Sequence, residues 1–385
     1  MKILSYLNIS NIDNISCDSG YVFNYAISRA LKKRGVDFKI ILPIELVGKN
    51  KKFDEEDCYY AQMGCTRYEV RYRFDWKSIC DIIRGEQPDI IFVNQPELVA
   101  TFKALLLEND FNHIKIFAYC HYVALHVDTE NNPIIDYTLN NSMLGENIIY
   151  NILTAINISD FFAIQSQFAS NLLINYARIH NFKINKRVYI LHPPLDEDLL
   201  TGDFVFKTGK YILYNHRLYE SYGTSFFVDF VDYHVEYNFI VANPMCNRSS
   251  ARRKFNSSPE KYNTILAGKS NVKLINGGER CAYRDAIDMC RCAIAPYRTA
   301  CVWSMSIADC YCRYVPVVAP KIGFYEEFVP SDLLFCTKQE ESEIINELLV
   351  NDEFWLKSVK QCREFLQKIV PETIIDNFLN IVNKK

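Results

Sequence analysis

Apolar runs alternate with amphipathic helical patterns along the first half of the chain. KILSYL, at residues 2–7, is typical of a buried parallel strand, and the polar loop NISNIDNISCDSG separates it from a helix. Residues 32–35, three cations and a glycine, suit the carboxyl end of that helix, whose apolar stripe is formed by Val22, Phe23, Ala26, Ile27, Ala30 and Leu31. VDFKIILP follows as a second strand, so the spacing predicts a right-handed parallel crossover.

The same alternation continues to RVYILHPP and begins again after a break at PPLDEDLLTGDFVFKTGK, which is rich in proline, glycine and charge. The second set extends from KYILYNHR to VPVVAP. This pattern predicts an α/β protein with two doubly wound, Rossmann-like domains, residues 1–195 and 196–350, that face each other across a ligand cleft. Residues 351–385 are predicted to form helices that pack back across the domains.

Composition narrows the class of protein. The 385 residues are 49% apolar and carry a formal net charge of −3, which excludes general disorder and nucleic-acid binding by bulk charge alone. No secretory signal and no apolar run of roughly 18 residues is present, so a soluble protein of the cytoplasm (the host cytoplasm if it is viral) is expected. The 14 cysteines are expected to be reduced, buried thiols rather than zinc ligands, and no metal is predicted.

Candidate residues of the first half follow predicted strands. Ser19 and Gly20 stand at a helix start, where backbone amides bind an anion or a sugar or only complete a helix cap. His121 and His126 lie just beyond the strand IKIFAYC, and of the two His121 is the stronger candidate for ligand contact, although a lone histidine is more often structural.

Candidate residues of the second half suit a nucleotide. Arg217, after the strand YILY, has the fork geometry that phosphate oxygens accept; its alternative is a surface ion pair. Asp309 is predicted in the first turn of a helix, where it accepts two ribose hydroxyls or merely stabilises the helix start. The amides of Ser304, Met305 and Ser306 are predicted to face a diphosphate. No phosphate-loop motif and no Gly-x-Gly-x-x-Gly follows the first strand, which argues against an ATPase of that type and a dinucleotide oxidoreductase.

Two polar segments carry further candidates. Asp136 and Asn140 lie in NNPIIDYTLNNSMLG, a long segment that is predicted to be irregular and is either a binding loop or solvated. Arg252 and Arg253 lie in MCNRSSARRKF, which is either a solvated face or a surface for a phosphate backbone.

Taken together, these segments resemble the two-domain GT-B glycosyltransferases, particularly the retaining family 4 type. The likeness extends over essentially the whole chain, through SGYVFNYAISRALKKRG, DFFAIQSQFASNLL, HPPLDEDLL and NHRLYESYGTSFFVDF. Its most specific part is RCAIAPYRTACVWSMSIADCYCRYVPVVAPKIGFYEEFV, which is similar to the segment that grips the nucleotide sugar. The resemblance implies an amino-terminal acceptor domain, a carboxyl-terminal nucleotide-sugar domain, and a UDP- or GDP-sugar as co-substrate without a metal.

The chain departs from the family at three positions. Of the two glutamates that the family separates by seven residues, the second falls on Asp309 and the first on Cys301. The lysine expected five residues after Arg217 is Tyr222, and the glycine before Pro-Val-Val is Tyr314. The resemblance therefore implies the fold and the nucleotide-binding contacts more firmly than the contact to the transferred sugar. Either a different donor sugar or a loss of activity would explain the three differences.

The resemblance also implies roles for the candidate residues. Those expected to be catalytic are His121, Arg217 and Asp309. The expected donor contacts are Ser19, Gly20, Arg217, Tyr222, Ser304, Met305, Ser306 and Asp309. The expected acceptor contacts are His126, Asp136, Asn140, Arg252 and Arg253.

A looser likeness to bacteriophage glucosyltransferases of hydroxymethylated DNA bases makes DNA the slightly preferred acceptor, and a glycan or lipid-linked saccharide is the alternative. A non-catalytic module that only binds nucleotide sugar is the alternative of another class.

Overall fold

A computed structural model of the chain describes residues 1–9, 12, 15, 18–64, 66, 68–128, 130–136, 143–243 and 256–384. It divides into two compact units. The first consists of Met1–Pro194 together with Ile369–Lys385, and the second consists of Leu195–Lys368. The boundary between the units thus falls next to the one expected at residue 195. Of the carboxyl-terminal residues, those up to Lys368 belong to the second unit and those from Ile369 belong to the first.

The first unit is built on a parallel sheet of seven strands. Its strands are β1 Lys2–Tyr6, β2 Asp37–Pro43, β3 Cys58–Ala61, β4 Ile90–Val93, β5 Lys115–Cys120, β8 Phe161–Ile164 and β9 Val188–Ile190. Between β5 and β8, β6 Leu125–Val127 and β7 Pro133–Ile135 form a separate antiparallel hairpin. The spatial order is β3-β2-β1-β4-β5-β8-β9. The chain therefore changes direction across the sheet between β1 and β4, and the carboxyl ends of these strands flank the topological switch point.

The described helices of the first unit, apart from the four-residue helix Glu69–Tyr72, lie where the sequence indicates. They are α1 Ser19–Lys33, α2 Glu69–Tyr72, α3 Trp76–Glu86, α4 Val99–Glu108, α5 Leu144–Ile158, α6 Gln167–Ile179 and, from the far end of the chain, α14 Pro371–Val382. Asp18 caps α1, since its side chain accepts a hydrogen bond from the Tyr21 amide at 3.0 Å. Gly35 follows the last turn with a φ of +73°, the left-handed conformation that terminates many helices.

Helix α14 completes the core of the first unit. Its buried side chains, Ile374, Ile375, Phe378, Ile381 and Val382, belong to the same apolar cluster as residues of α1, β2 and β4. The Phe378 ring lies 4.8 Å from that of Phe117 and 6.0 Å from that of Phe92. The last helix is therefore part of the packing of a sheet whose strands lie about 180 to 370 residues earlier in the chain.

The second unit repeats the architecture with six strands, all paired in parallel. They are β10 Tyr211–Tyr214, β11 Asn238–Asn243, β12 Val272–Asn276, β13 Cys290–Ile294, β14 Val317–Pro320 and β15 Leu334–Phe335, in the order β12-β11-β10-β13-β14-β15. Its helices are α7 Thr224–Tyr233, α8 Ser258–Ala267, α9 Arg280–Met289, α10 Met305–Cys312, α11 Tyr325–Phe328, α12 Lys338–Val350 and α13 Asp352–Leu366. Here the switch point lies between β10 and β13.

The alternation of strands and helices predicted from the hydrophobic pattern is confirmed. Several elements lie outside the predicted alternation: α2, α8, α11, α12 and β15. Two further differences are β3, which forms from a short segment of half-buried residues, and the segment around 125–135, which contains the β6–β7 hairpin rather than an irregular loop alone. Both are short edge or surface elements, for which the periodicity of a few residues is a weak signal.

In the described part of the chain, no helix is both long and apolar enough to cross a membrane.

Replacing Phe378 by alanine should destabilise the first unit, because the truncation leaves a cavity between α14 and the sheet. A loss of about 3–5 kcal/mol in the free energy of unfolding is expected for a buried phenylalanine. Denaturant unfolding combined with hydrogen exchange that resolves the two units would measure it. Asn377→Ala, at an exposed position of the same helix, is the matched control; equal stability of the two variants would contradict the packing role of α14.

Candidate functional site

The loops that follow β10 and β13 meet at the carboxyl edge of the second sheet, on either side of its switch point. Gly223 immediately precedes α7 and has a φ of +66°. A Cβ at this position would lie 2.5 Å from the carbonyl oxygen of Tyr297, in the loop after β13. Only glycine permits both the conformation and this close approach, so the two loops are in direct contact.

Asn215, the first residue after β10, joins this loop to two helices. Its side-chain Nδ2 donates to the hydroxyl of Tyr283 in α9 at 2.9 Å and to the carbonyl oxygen of Ser306 in α10 at 3.1 Å. The Ser306 hydroxyl returns a hydrogen bond to the Asn215 carbonyl oxygen at 3.1 Å. Asn215 is 2% exposed, and a buried amide with these partners fixes the start of α10 relative to β10.

Asp309 lies in the second turn of α10, not the first as predicted. The helix begins at Met305 because Ser304 is still extended, with φ −139° and ψ 105°, and Asp309 therefore lies one turn inside the helix. The Tyr283 hydroxyl donates to its Oδ2 at 2.8 Å. Burial raises the pKa of this carboxyl group to about 7, against the opposing effects of the Tyr283 hydrogen bond and the Arg280 charge.

The start of α10 has the properties of an anion-binding helix end. The Ser304 side chain does not cap the helix, and its first turn contains no acidic residue. The backbone amides at the beginning of a helix have no partner within the helix and carry its partial positive charge. Ser304, Met305 and Ser306 thus lie together at this end, and Asp309 lies one turn further along; the contact of these amides with a diphosphate stays a prediction.

Two arginines follow the two strands that flank the switch point. Arg217, after β10, is exposed, and its side chain forms no ion pair or hydrogen bond with any described residue. Arg298, after β13, lies with its guanidinium carbon 4.3 Å from the centre of the Tyr222 ring. Burial, with the Arg298 charge adding to it, lowers the pKa of His216 to about 3.

Sequence reasoning missed Arg298. The signal that could have found it is its position, because PYR follows the strand RCAIA as NHR follows the strand YILY. Sequence reasoning also missed Asn215 and Tyr283, whose importance depends on hydrogen bonds between residues far apart in the chain.

The departures at Cys301 and Tyr222 have structural consequences. Cys301 is buried, its Sγ lies 3.5 Å from the Trp303 carbonyl oxygen, and burial raises the pKa of the thiol, so that this position carries no negative charge at neutral pH. Tyr222 ends a short turn directly before Gly223 and presents its ring to the Arg298 guanidinium.

In the first unit, His121 lies at the carboxyl end of β5. Its Nε2 is 2.9 Å from Oδ1 of Asn94, and its ring makes edge-to-face contacts of 4.5 Å with Phe23 and Tyr119. Burial lowers the pKa of this imidazole to about 3, so it is neutral over the physiological range.

The start of α1 differs from the start of α10. Ser19 and Gly20 are its first two residues, and the carboxylate of Asp18 already caps the helix. A negative charge in this position competes with any anionic ligand, which agrees with the helix-cap alternative for Ser19 and Gly20.

The structure brings His126 and Asp136 together on the β6–β7 hairpin. The Tyr122 hydroxyl donates to Asp136 Oδ2 at 2.5 Å, and the His126 Nε2 lies 3.5 Å from the same oxygen. Asp136 is buried, so its accessible chemistry is limited by these partners. Asn140, Arg252 and Arg253 lie outside the described residues.

All cysteines in the described part of the chain are free thiols, and most of them are buried. Among those same residues, no group of three or more His, Cys, Asp or Glu side chains is placed to hold a metal ion.

No protein-family model and no curated protein matches this chain. Solved structures do match its fold. Sucrose-phosphate synthase from Thermosynechococcus elongatus superposes with a TM-score of 0.72 at 12% identity, over 99% of this chain and 98% of that one. HepE from Anabaena, solved with UDP and glucose, gives 0.68 at 12% identity, over the whole of both chains.

TarM, from S. aureus, gives a TM-score of 0.58 at 13% identity over 80% of this chain, and this chain spans only 58% of its length. These neighbours are GT-B glycosyltransferases. At such low identity the likeness establishes the fold alone, and it confirms the GT-B architecture expected from the sequence.

Lowering the pH should destabilise the protein through its two buried, neutral histidines. In the unfolded chain a histidine has a pKa of about 6.5, whereas His121 and His216 have pKa values of about 3 in the folded state. Between these values only the unfolded chain binds the protons, so the free energy of unfolding is highest above pH 6.5 and falls below it. The expected loss at pH 5 is about 2 kcal/mol for each histidine.

Unfolding measured in urea from pH 7.5 to pH 4.5 checks this expectation. His121→Gln and His216→Gln should each show a shallower pH dependence than the unmodified protein. His113→Gln, at an exposed position, is the control; if all three variants kept the original slope, the neutral burial of these imidazoles would be wrong.

Proposed function

We propose that the protein is a glycosyltransferase that moves a sugar from a nucleotide-diphosphate sugar, such as a UDP- or GDP-sugar, to an acceptor hydroxyl. The observation that carries the proposal is the convergence of Arg217, Arg298, the uncapped start of α10 and Asp309 at one edge of the second sheet. HepE, which shares the fold, has been solved with UDP-glucose bound.

In the proposed complex, one helix contacts two parts of the nucleotide. The amides at Ser304–Ser306 bind the diphosphate, and Asp309, one turn along α10, accepts hydrogen bonds from the ribose hydroxyls. Tyr283 holds the carboxylate in place from α9. An ionised carboxylate is an acceptor only, which suits a pair of hydroxyl donors.

The two arginines supply the charge that the reaction requires. When the bond between the sugar and the diphosphate breaks, negative charge develops on the leaving diphosphate. A guanidinium binds phosphate oxygens through paired hydrogen bonds, and a preorganised donor of this kind contributes on the order of 10²–10³ in rate. Arg298 provides a second guanidinium beside Tyr222, the position at which the family resemblance leads one to expect a lysine.

In the proposed reaction, the donor sugar is transferred to a saccharide hydroxyl, and its anomeric configuration is retained. TarM, with the same fold, has been solved together with α-GlcNAc-glycerol and UDP. A hydroxymethylated DNA base is the second candidate acceptor; it depends on Arg252 and Arg253, which lie outside the described residues.

The proposal is tested by incubating the protein with a panel of UDP- and GDP-sugars and acceptors while release of the nucleotide is followed. Turnover with a donor and an α-linked product from an α-linked donor, observed by NMR, support transfer with retention. Tight nucleotide binding without turnover, also in Cys301→Glu, indicates a non-catalytic nucleotide-sugar module instead. If the acceptor is a DNA base, the protein should bind duplex DNA. That binding should weaken steeply with added salt and be lost in an Arg252/Arg253 double alanine variant.

Arg298→Ala should weaken binding of UDP by about 10- to 100-fold, because a charge-assisted contact to the diphosphate is lost. Binding of uridine, which has no phosphate, should change little. Introducing Tyr222→Lys into the Arg298→Ala background should restore much of the loss, since it returns a cation to the same place. Calorimetry with UDP, UMP and uridine measures these effects.

Arg284→Ala, an exposed arginine of α9, is the control for the loss of a positive charge. If Arg298→Ala and Arg284→Ala weakened UDP binding equally, the effect of Arg298 would be general electrostatics and not a contact.

Affinity for uridine should rise as the pH increases from 6 to 8. The Asp309 carboxyl has a pKa of about 7, and only its ionised form accepts two ribose hydroxyls. About a tenth of the group is ionised at pH 6, so affinity should be about 10-fold lower there than at pH 8. Ligand-observed NMR with uridine, which carries no phosphate to titrate, checks this. Asp309→Asn should bind weakly at every pH; a pH dependence that persisted in this variant would assign it to another group.

A further inference from the structure

A network of buried polar side chains crosses the switch point of the first sheet. Ser5 of β1, Asn24 of α1 and Asn94 after β4 are 0%, 1% and 2% exposed. The Ser5 hydroxyl donates to Asn24 Oδ1 at 2.7 Å, and Asn94 Nδ2 donates to the Ser5 hydroxyl at 3.0 Å. His121 completes the network from the end of β5.

Two backbone carbonyl groups determine which way the amides face. Asn24 Nδ2 lies 2.8 Å from the Gly20 carbonyl oxygen, and Asn94 Nδ2 lies 2.9 Å from that of Tyr6. A carbonyl oxygen only accepts hydrogen bonds, so each contact requires the amide nitrogen. The opposite assignment of either amide would place two oxygens against each other.

This orientation in turn determines the protonation of the imidazole. Oδ1 of Asn94 accepts from Asn24 Nδ2 at 2.9 Å and lies 2.9 Å from His121 Nε2. Because that oxygen can only accept, Nε2 must carry a proton. A neutral imidazole has a single N–H, so Nδ1 is left as an acceptor, and no described residue donates to it.

We propose that Asn94 is a positioning residue that locks His121 in the Nε2–H tautomer, so that Nδ1 accepts a hydrogen bond from a substrate hydroxyl. The identity of that hydroxyl, on the sugar or on the acceptor, rests on the proposed function; the tautomer does not. A phosphate oxygen is excluded as the partner of Nδ1 because both atoms are acceptors. Phe23 and Tyr119 hold the ring plane by edge-to-face contacts.

The tautomer is measured directly by long-range proton–nitrogen correlation NMR on protein labelled with ¹⁵N-histidine, at pH 7 and without ligand. His121→Gln assigns the signals of His121, and the exposed His113 is an internal reference that should average between tautomers. The expected spectrum shows a protonated Nε2 and an unprotonated Nδ1 at His121. A protonated Nδ1, or an average of the two forms, overturns the proposal without any variant.

Two substitutions at Asn94 separate positioning from general packing. Asn94→Asp keeps an oxygen that accepts from Nε2, and its protonated carboxyl group donates to the Tyr6 carbonyl as the amide nitrogen does, so this variant should keep the tautomer. Asn94→Leu removes the acceptor and should produce a mixture. Activity should follow the tautomer, with a loss of about 3- to 10-fold in Asn94→Leu. Asn94→Leu that folds and still shows only the Nε2–H form would overturn the role of Asn94.

Substrate addition completes the test. UDP-glucose or a saccharide acceptor should shift the Nδ1 resonance, and UDP alone should not; a shift of equal size with UDP would overturn the hydroxyl assignment. The two proposals fail separately. An Nε2–H tautomer in a protein that turns over no nucleotide sugar contradicts only the proposed function. Turnover by a protein with a protonated Nδ1 contradicts only the tautomer.

Discussion

A buried amide, Asn215, holds together the two loops that form the candidate site of the second unit. Its side chain bonds to Tyr283 and to the Ser306 carbonyl; besides these bonds, the loop after β10 is joined to the start of α10 by the Ser306 hydroxyl, which donates to the Asn215 carbonyl, and to the loop after β13 by the close approach at Gly223. The same Tyr283 hydroxyl that accepts from Asn215 donates to Asp309. The position of the carboxylate and the position of the Arg217 loop are therefore coupled through a single side chain.

The switch points of the two units carry similar polar residues. Each has an asparagine directly after a strand at its switch point, Asn94 after β4 and Asn215 after β10, and both are 2% exposed. Each also has a histidine near that edge whose pKa burial lowers to about 3, so that neither imidazole adds charge at neutral pH. These two asparagines and two histidines therefore add no charge at neutral pH, and in the second unit charge enters through Arg217, Arg298 and Asp309.

The elements of the fold could be predicted because they depend on local patterns. The helix that begins after Asp18 and the strand before Asn215 follow from apolar periodicity and capping residues that lie within a few positions of each other. Strand β3 and the β6–β7 hairpin were missed, since three or four half-buried residues do not show a period. Arg217 could be named as a candidate from its place after a buried strand, and its contact with a ligand stays a prediction.

What could not be predicted depends on contacts between distant segments. The turn of α10 to which Asp309 belongs is set by the extended backbone of Ser304, which composition does not reveal. The partnership of Asn94 and His121 joins residues 27 positions apart, and that of Asn215 and Tyr283 joins residues 68 positions apart. Polar residues are informative in such sites only when their hydrogen-bond partners are known.

The residues at 301 and 222, where the family resemblance leads one to expect a glutamate and a lysine, are best understood when their charges are considered together. A buried thiol at 301 removes a negative charge from the neighbourhood of the Arg298 guanidinium, whose charge in turn lowers the pKa of that thiol against the effect of burial. Tyr222 removes a positive charge but offers its ring face to Arg298. A carboxylate at 301 would compete with phosphate for the guanidinium, so the neutral thiol leaves Arg298 better able to bind an anionic ligand. Relative to the residues that the family resemblance leads one to expect, the two differences are mutually consistent: a guanidinium lies beside Tyr222, and the thiol at 301 carries no negative charge near it.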